Sequence, residues 1–257
     1  MYPIDLSGKN AIIFGVANDR SIAWHVAEAL HKAGARLAIA YQNERLLSRV
    51  QRLTQDIPNT LLLECDVSTD AAIEAVFQKA ASELGSLHAM VHSIAFAQRE
   101  DLEGDFSKTS RGGFQKALEI SAYSLIPLVR HAAPLMKDGG SVVTLTFEAS
   151  QRVYPGYNVM GAAKAALENE VRQLAYEFGP RSIRVNAVSA GPLETLAARG
   201  IHGFLDMKKV HAERAPLQRN ITHDEVGKAA LFLLSDLASG VTGAVLPVDA
   251  GYHIMGV

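Results

Sequence analysis

Two residues stand out for the chemistry that they could do together. Tyr157 and Lys164 are seven positions apart in Tyr157-Asn158-Val159-Met160-Gly161-Ala162-Ala163-Lys164. Seven positions are nearly two turns of an α-helix, so a helix reaching back to Tyr157 would set both side chains on one face. A phenol can hydrogen-bond a substrate oxygen that gains negative charge. A lysine can bond ribose hydroxyls, and its charge can lower the phenol's pKa. A tyrosine and a lysine on a half-exposed helix would look the same, so the pair needs context.

That context is a series of apolar runs with polar or small residues at their ends. Asn10–Gly15, Arg36–Tyr41, Leu61–Leu63, Leu87–Ser93, Ser141–Thr146, Ile183–Ser189 and Ala244–Asp249 read as buried strands. Between them Ser21–Ala33, Glu44–Gln55, Ala71–Leu84, Arg111–Met136, Asn158–Phe178 and His223–Leu237 have helical spacing. Ser21 and Thr222 stand as N-caps and Gly34 as a C-terminal stop. Alternation of this kind predicts an α/β fold: a single Rossmann-type doubly wound parallel sheet with helices on both faces, over residues 1–257. Only Ala190–Leu217, a mixture of Gly, Pro, His and Lys, breaks the pattern.

In such a sheet, ligands sit beyond the carboxyl ends of the strands. The first turn, Gly15-Val16-Ala17-Asn18-Asp19-Arg20-Ser21-Ile22, is not a literal G-x-G-x-x-G. Gly15 still gives the tight turn, and Ala17 is small enough for close approach. Ser21-Ile22 opens a helix whose amides can hold a pyrophosphate. A turn with no ligand is the plainer alternative. The second strand ends at Gln42, which can bond a ribose hydroxyl but has no charge for a 2′-phosphate; Arg45 stands nearby. The third ends at Asp66-Val67, where a carboxylate can accept a bond from an adenine amino group or simply cap the helix at Thr69–Ala72. The fourth ends at Ser93-Ile94-Ala95, beside an adenosine ribose. Three such ends in order favour a dinucleotide, and Gln42 favours NADH over NADPH.

Taken together, Gly15…Ser21-Ile22, Gln42, Asp66-Val67, Ser93-Ile94-Ala95-Phe96-Ala97, Tyr157-x6-Lys164 and Arg184-Val185-Asn186…Ser189-Ala190-Gly191-Pro192 resemble the short-chain dehydrogenase/reductase superfamily. More narrowly, they resemble its divergent branch, the NADH-dependent enoyl-acyl-carrier-protein reductases of bacterial fatty-acid synthesis. The match runs from Leu6-Ser7-Gly8-Lys9 to Asp249-Ala250-Gly251. Ordinary superfamily members place Tyr four residues before Lys; here that residue is Met160. The resemblance implies that NADH reduces the trans-2 double bond of an enoyl thioester carried on acyl carrier protein. Tyr157 would bond the thioester oxygen, and Lys164 would hold the nicotinamide ribose. Pro192, Leu193 and Thr195 would lie along the nicotinamide, with Ala97 beside the acyl chain. Where many bacterial relatives have a second active-site tyrosine, this chain has Phe147, which can shape the pocket but not donate a bond. Tyr154 is too close to Tyr157 to be that residue displaced.

The segment 193–214 places Ala197, Ala198, Ile201, Phe204, Leu205 and Met207 among Arg199, Lys208, Lys209 and Arg214. One reading is a lid that turns Ala197, Ile201 and Phe204 onto the acyl chain and presents cations to an acidic carrier protein. An ordinary surface helix is the other. The resemblance also implies a homotetramer, with Arg111–Met136 and Asn158–Phe178 at one interface.

Composition narrows the field. The net charge of −2 gives no basic field for nucleic acid. The lone Cys65 permits no internal disulfide, which suits the cytoplasm, and Met1–Lys9 has no apolar signal core. No apolar run reaches the roughly 18 residues of a membrane helix. The nine histidines form no H-E-x-x-H, so no metal site is expected, and no G-x-S-x-G marks an esterase. His92 should point away from Ser93.

Overall fold

A computed structural model describes residues 4–201 and 203–256, without the Arg199 side chain. Seven strands form one parallel sheet: β1 (Asn10–Phe14), β2 (Arg36–Tyr41), β3 (Leu61–Glu64), β4 (Ala89–His92), β5 (Gly140–Thr146), β6 (Ile183–Ala190) and β7 (Val245–Val248). Their order is β3-β2-β1-β4-β5-β6-β7, so the winding reverses between β1 and β4. Both sheet faces are buried, and the strands divide their residues between them by alternation. Ile13, Leu37 and Ile39 enter one core, while Ile12, Phe14, Ala38 and Ala40 enter the other.

The first core lies under α1 (Ile22–Lys32) and α8 (His223–Leu234), which donate Trp24, Val26, Leu30, Val226 and Leu233. These two helices approach so closely that a Cβ on Gly227 would stand 2.8 Å from the His25 carbonyl oxygen. The second core lies under α3 (Asp70–Leu84), α5 (Leu125–Ala132) and α6 (Val159–Phe178). The helix α2 (Glu44–Thr54) packs beside β2 and β3, with Val50 entering the first core. Thr222 caps α8 through a full capping box with Glu225.

Three expectations change. Arg111–Met136 is not one helix but α4 (Arg111–Leu118), a π turn over Glu119–Tyr123, α5, and a 3₁₀ turn over Ala133–Leu135. Pro127 has no N–H to give the Tyr123 carbonyl, and the Ser124 hydroxyl donates to the Ile120 carbonyl at 2.7 Å. The last helix stops at Leu234 and continues as a 3₁₀ turn over Asp236–Ala238. The irregular segment after β6 contains a 3₁₀ turn over Ala197–Gly200 and an eleven-residue helix, α7 (Phe204–Arg214). No helix among the described residues is long and apolar enough to cross a membrane.

Candidate active site

The carboxyl ends of β1, β2, β3, β4, β5 and β6 open into one cleft of about 1020 Å3. The candidate catalytic, cofactor and substrate residues line it: Gly15, Ala17, Ser21, Ile22, Gln42, Asp66, Val67, Ser93, Ile94, Ala95, Ala97, Phe147, Tyr157, Lys164, Pro192, Leu193, Thr195, Ala197, Ile201 and Phe204.

Gly15 makes the first turn at φ +103°, where a Cβ would stand 2.0 Å from the Ser93 carbonyl oxygen. Only glycine fits between β1 and β4 there. Ser21 precedes α1, but its hydroxyl does not cap the helix. It accepts from the amides of Ala17 and Asn18, both at 3.0 Å, and so ties the turn to itself. Among the described residues no protein acceptor meets the amides of Ile22 and Ala23, so the start of α1 is open to an anion.

At the far end of the cleft, Asp66 Oδ1 accepts from the Ser68 amide at 3.0 Å, while Thr69 stands as the N-cap of α3. The carboxylate therefore fixes its own turn rather than capping that helix. Burial alone would raise its pKa, but bonds from Ser68 and Gln42 and the charge of Lys116 hold it below the usual range. It is ionised near neutral pH, an acceptor beside Gln42.

At the other end, Lys164 on α6 is 5% exposed and donates from Nζ to the Leu145 carbonyl oxygen of β5 at 2.7 Å. Burial pulls its pKa down to about 8, against the attraction of Glu168 one turn on. Glu168 is itself occupied, accepting from Thr146 Oγ1 at 2.8 Å. Tyr157 does not sit on the helix. The helix begins at Val159 because Asn158 takes φ +35°, held by bonds from its Nδ2 to the Leu102 and Gly104 carbonyls at 3.3 and 3.1 Å. Tyr157 is presented by the preceding turn, its amide donating to the Tyr154 carbonyl at 3.1 Å. Its hydroxyl has no partner among the described residues. Burial raises its pKa, and no lysine charge offsets this, contrary to the expectation that Lys164 would lower it. The group is a neutral donor, not a phenolate.

Phe147 packs between two tyrosines, with ring centres 4.6 Å from Tyr154 and 5.0 Å from Tyr157. Tyr154 itself is not in the cleft. Its hydroxyl donates to Glu148 Oε2 at 2.6 Å, so it does not supply the donor that Phe147 lacks. Phe147, Met160, Ile201, Phe204 and Met207 give the cleft an apolar lining. Leu205, by contrast, is 72% exposed and faces away. Lys208 is ion-paired with Glu194 and Lys209 lies 3.9 Å from Glu213, so neither is the free cation expected of a docking face.

The model of the family described as "Enoyl-(Acyl carrier protein) reductase" matches residues 15–253. The chain belongs to that family. It is 50% identical over 256 residues to the NADH-dependent enoyl-(acyl-carrier-protein) reductase FabI of Nostoc sp., covering 98% of this chain and 99% of that protein. The same enzyme of Bacillus subtilis is 49% identical, covering 97% of both chains. Among solved structures, the Bacillus cereus enoyl-acyl carrier protein reductase with NADP+ and indole naphthyridinone superposes with a TM-score of 0.96 at 48% identity. It covers 98% of this chain and all of that one. The Aquifex aeolicus enzyme gives 0.95 at 46% identity, covering 98% and 99%.

Several residues of the site were not legible in the sequence. Ser121, in the π turn, accepts from the Phe96 amide at 2.9 Å and donates to its carbonyl at 3.0 Å, fixing the strand end that carries Ile94 and Ala95. A continuous helix reading hid it. His92 is fully buried between Thr144 Oγ1 at 2.8 Å and Ser124 Oγ at 2.9 Å. Burial takes its pKa down to about 3, so it is a neutral brace away from the cleft. Met160 and Met207 also line the cleft; only their apolar character hinted at that. No group of three or more potential metal-binding side chains occurs among the described residues.

Proposed function

We propose that this chain reduces the trans-2 double bond of enoyl thioesters with NADH, acting on substrates carried by acyl carrier protein in fatty-acid elongation. The observation that carries this reading is the unpartnered, neutral Tyr157 hydroxyl in the same cleft as the Lys164 ammonium, with Met160 where a carbonyl-reducing relative would have its tyrosine. The cleft's residues fit the dinucleotide. The open amides at the start of α1 suit its pyrophosphate, Gln42 and Asp66 its adenosine, Lys164 its nicotinamide ribose, and Pro192, Leu193 and Thr195 its nicotinamide. When bound, NADH supplies the hydride that adds to the β-carbon.

The chain's own residues then have distinct tasks. Tyr157 donates a hydrogen bond to the thioester oxygen as negative charge builds there, and its raised pKa keeps the proton on the donor. Lys164 places the cofactor through its nicotinamide ribose. Phe147, Ala97, Ala197, Ile201 and Phe204 give the acyl chain an apolar wall and exclude water. We further propose that residues 193–214 form a lid over the cleft, that the chain folds as one domain and works as a homotetramer, and that it acts in the cytoplasm.

The test is steady-state oxidation of NADH with a crotonyl thioester and with a 3-ketoacyl thioester. Turnover of the first and none of the second is expected. The reverse would assign a carbonyl reductase. Retained NADH binding without turnover of either would mean that the site binds but does not catalyse.

A further inference from the structure

Beside the cleft, but outside it, is a hydrogen-bonded cluster that the reaction does not use. Tyr154 donates to Glu148 Oε2 at 2.6 Å. His211 Nε2 lies 3.3 Å from the same tyrosine oxygen. Since the phenol's only proton goes to the carboxylate, Nε2 must carry the proton of a neutral imidazole and donate it. His211 is therefore the Nε2–H tautomer. Its other nitrogen, Nδ1, is buried without a partner, which a lone pair tolerates better than a donor would. The ring is stacked on Tyr252 at 3.6 Å and 18°. Glu148 has a second partner, Arg152 Nε at 2.9 Å, and Arg152 donates on to the carbonyls of Met255 and His253 at 2.8 and 3.0 Å.

These bonds join three segments. Glu148 and Tyr154 belong to the turn between Phe147 and Tyr157. Arg152 reaches the C-terminal turn. His211 lies on α7, and Phe204, Met207 and His211 are spaced three and four apart, so they share one helix face. Two of those three line the acyl end of the cleft. Tyr154 also forms one side of the Phe147 packing. Phe147 has no polar atom to hold it, so its placement against Tyr157 depends on this neighbour.

We infer that Glu148, Tyr154 and His211 are positioning residues: the cluster fixes the Phe147 ring beside the catalytic phenol and anchors α7 as the wall of the acyl site. This deepens the proposed reaction and rests on it. Longer acyl chains reach more of the wall carried by α7, so they should depend on the cluster more than short ones.

Tyr154→Phe keeps the ring packed on Phe147 and removes only the hydroxyl. It should raise KM for a dodecenoyl thioester about tenfold, the equivalent of one net hydrogen bond. KM for the crotonyl thioester should change less than about twofold, and NADH affinity, read by its fluorescence, should not change. Glu148→Ala should do the same, whereas Glu148→Gln keeps an acceptor oxygen and should restore values close to wild type. Amide exchange over Phe204–Arg214 should speed up in Tyr154→Phe. A variant with a lowered Tm but wild-type KM for both thioesters would show the cluster to be merely structural and overturn the inference. An equal rise for both thioesters would also overturn it. A wild-type protein inactive on either enoyl thioester would instead remove the proposed reaction, and the inference with it.

Discussion

Lys164 holds its charge almost out of water, and that has a consequence with a definite sign. Its pKa falls from 10.5 to about 8 in the fold, so between those values the unfolded chain binds a proton that the folded chain does not. Stability should therefore rise with pH across that window from this group. Cofactor capture should do the opposite. Losing the ammonium above about pH 8 should lower kcat/KM for NADH, a quantity that reports ionisations of the free enzyme. A profile flat to about pH 10 would contradict this. Lys164→Ala should weaken NADH binding, measured by fluorescence titration. Tyr157→Phe should leave NADH affinity in place and lower kcat by roughly 10²–10³, the usual loss for one donor to a developing oxyanion. Asp66→Ala should mainly raise KM for NADH, and Gln42 should keep kcat/KM higher for NADH than for NADPH despite Arg45 at the cleft. The catalytic pair was legible because Tyr-x6-Lys is a rare spacing with Met160 inside it. How the phenol is presented was not: the positive φ of Asn158 is set by carbonyls of Leu102 and Gly104, more than fifty residues away in sequence.

At the scale of elements, the strands were readable because both sheet faces are buried, so each strand is a short continuous apolar run. The break in Arg111–Met136 was not, because apolar spacing continues through the π turn. What displaces the ladder is the missing N–H of Pro127 together with two serines, Ser124 bonded to the Ile120 carbonyl and to His92, and Ser121 bonded to Phe96. The segment after β6 reads as irregular, yet eleven of its residues form helix α7. Its composition is poor in strong apolar periodicity, and its fold depends on contacts such as His211 with Tyr252. As a lid, residues 193–214 should exchange their amides more slowly when NAD and a substrate mimic bind, as seen by mass spectrometry; unchanged rates would remove the lid. Lys208→Glu/Lys209→Glu should raise KM for the carrier-protein substrate while sparing a small crotonyl thioester. The effect should be modest, because Lys208 already has Glu194 as its partner.

At the scale of the molecule, α6 bears on assembly. On α6, Ala163 and Leu167 face the chain's own cores, whereas Ala162 and Ala166 remain partly uncovered. Glu170 continues that face at a spacing of four. One of its carboxylate oxygens is buried without a partner, and burial raises its pKa to about 7. A second copy packed on α6 could supply the missing donor. Light scattering at micromolar concentration should give four times the 27.6 kDa of the chain, and a monomer would refute the tetramer.

Where the hydride goes decides which reaction the cleft performs. NADH labelled with deuterium at the transferred position should be supplied with a crotonyl thioester, and the product analysed by mass spectrometry and NMR. The prediction is a saturated butyryl thioester with one deuterium on its β-carbon, and no labelled carbinol when a 3-ketoacyl thioester is offered instead. Deuterium at a carbinol carbon, or an unlabelled product from the enoyl thioester, would contradict the central claim.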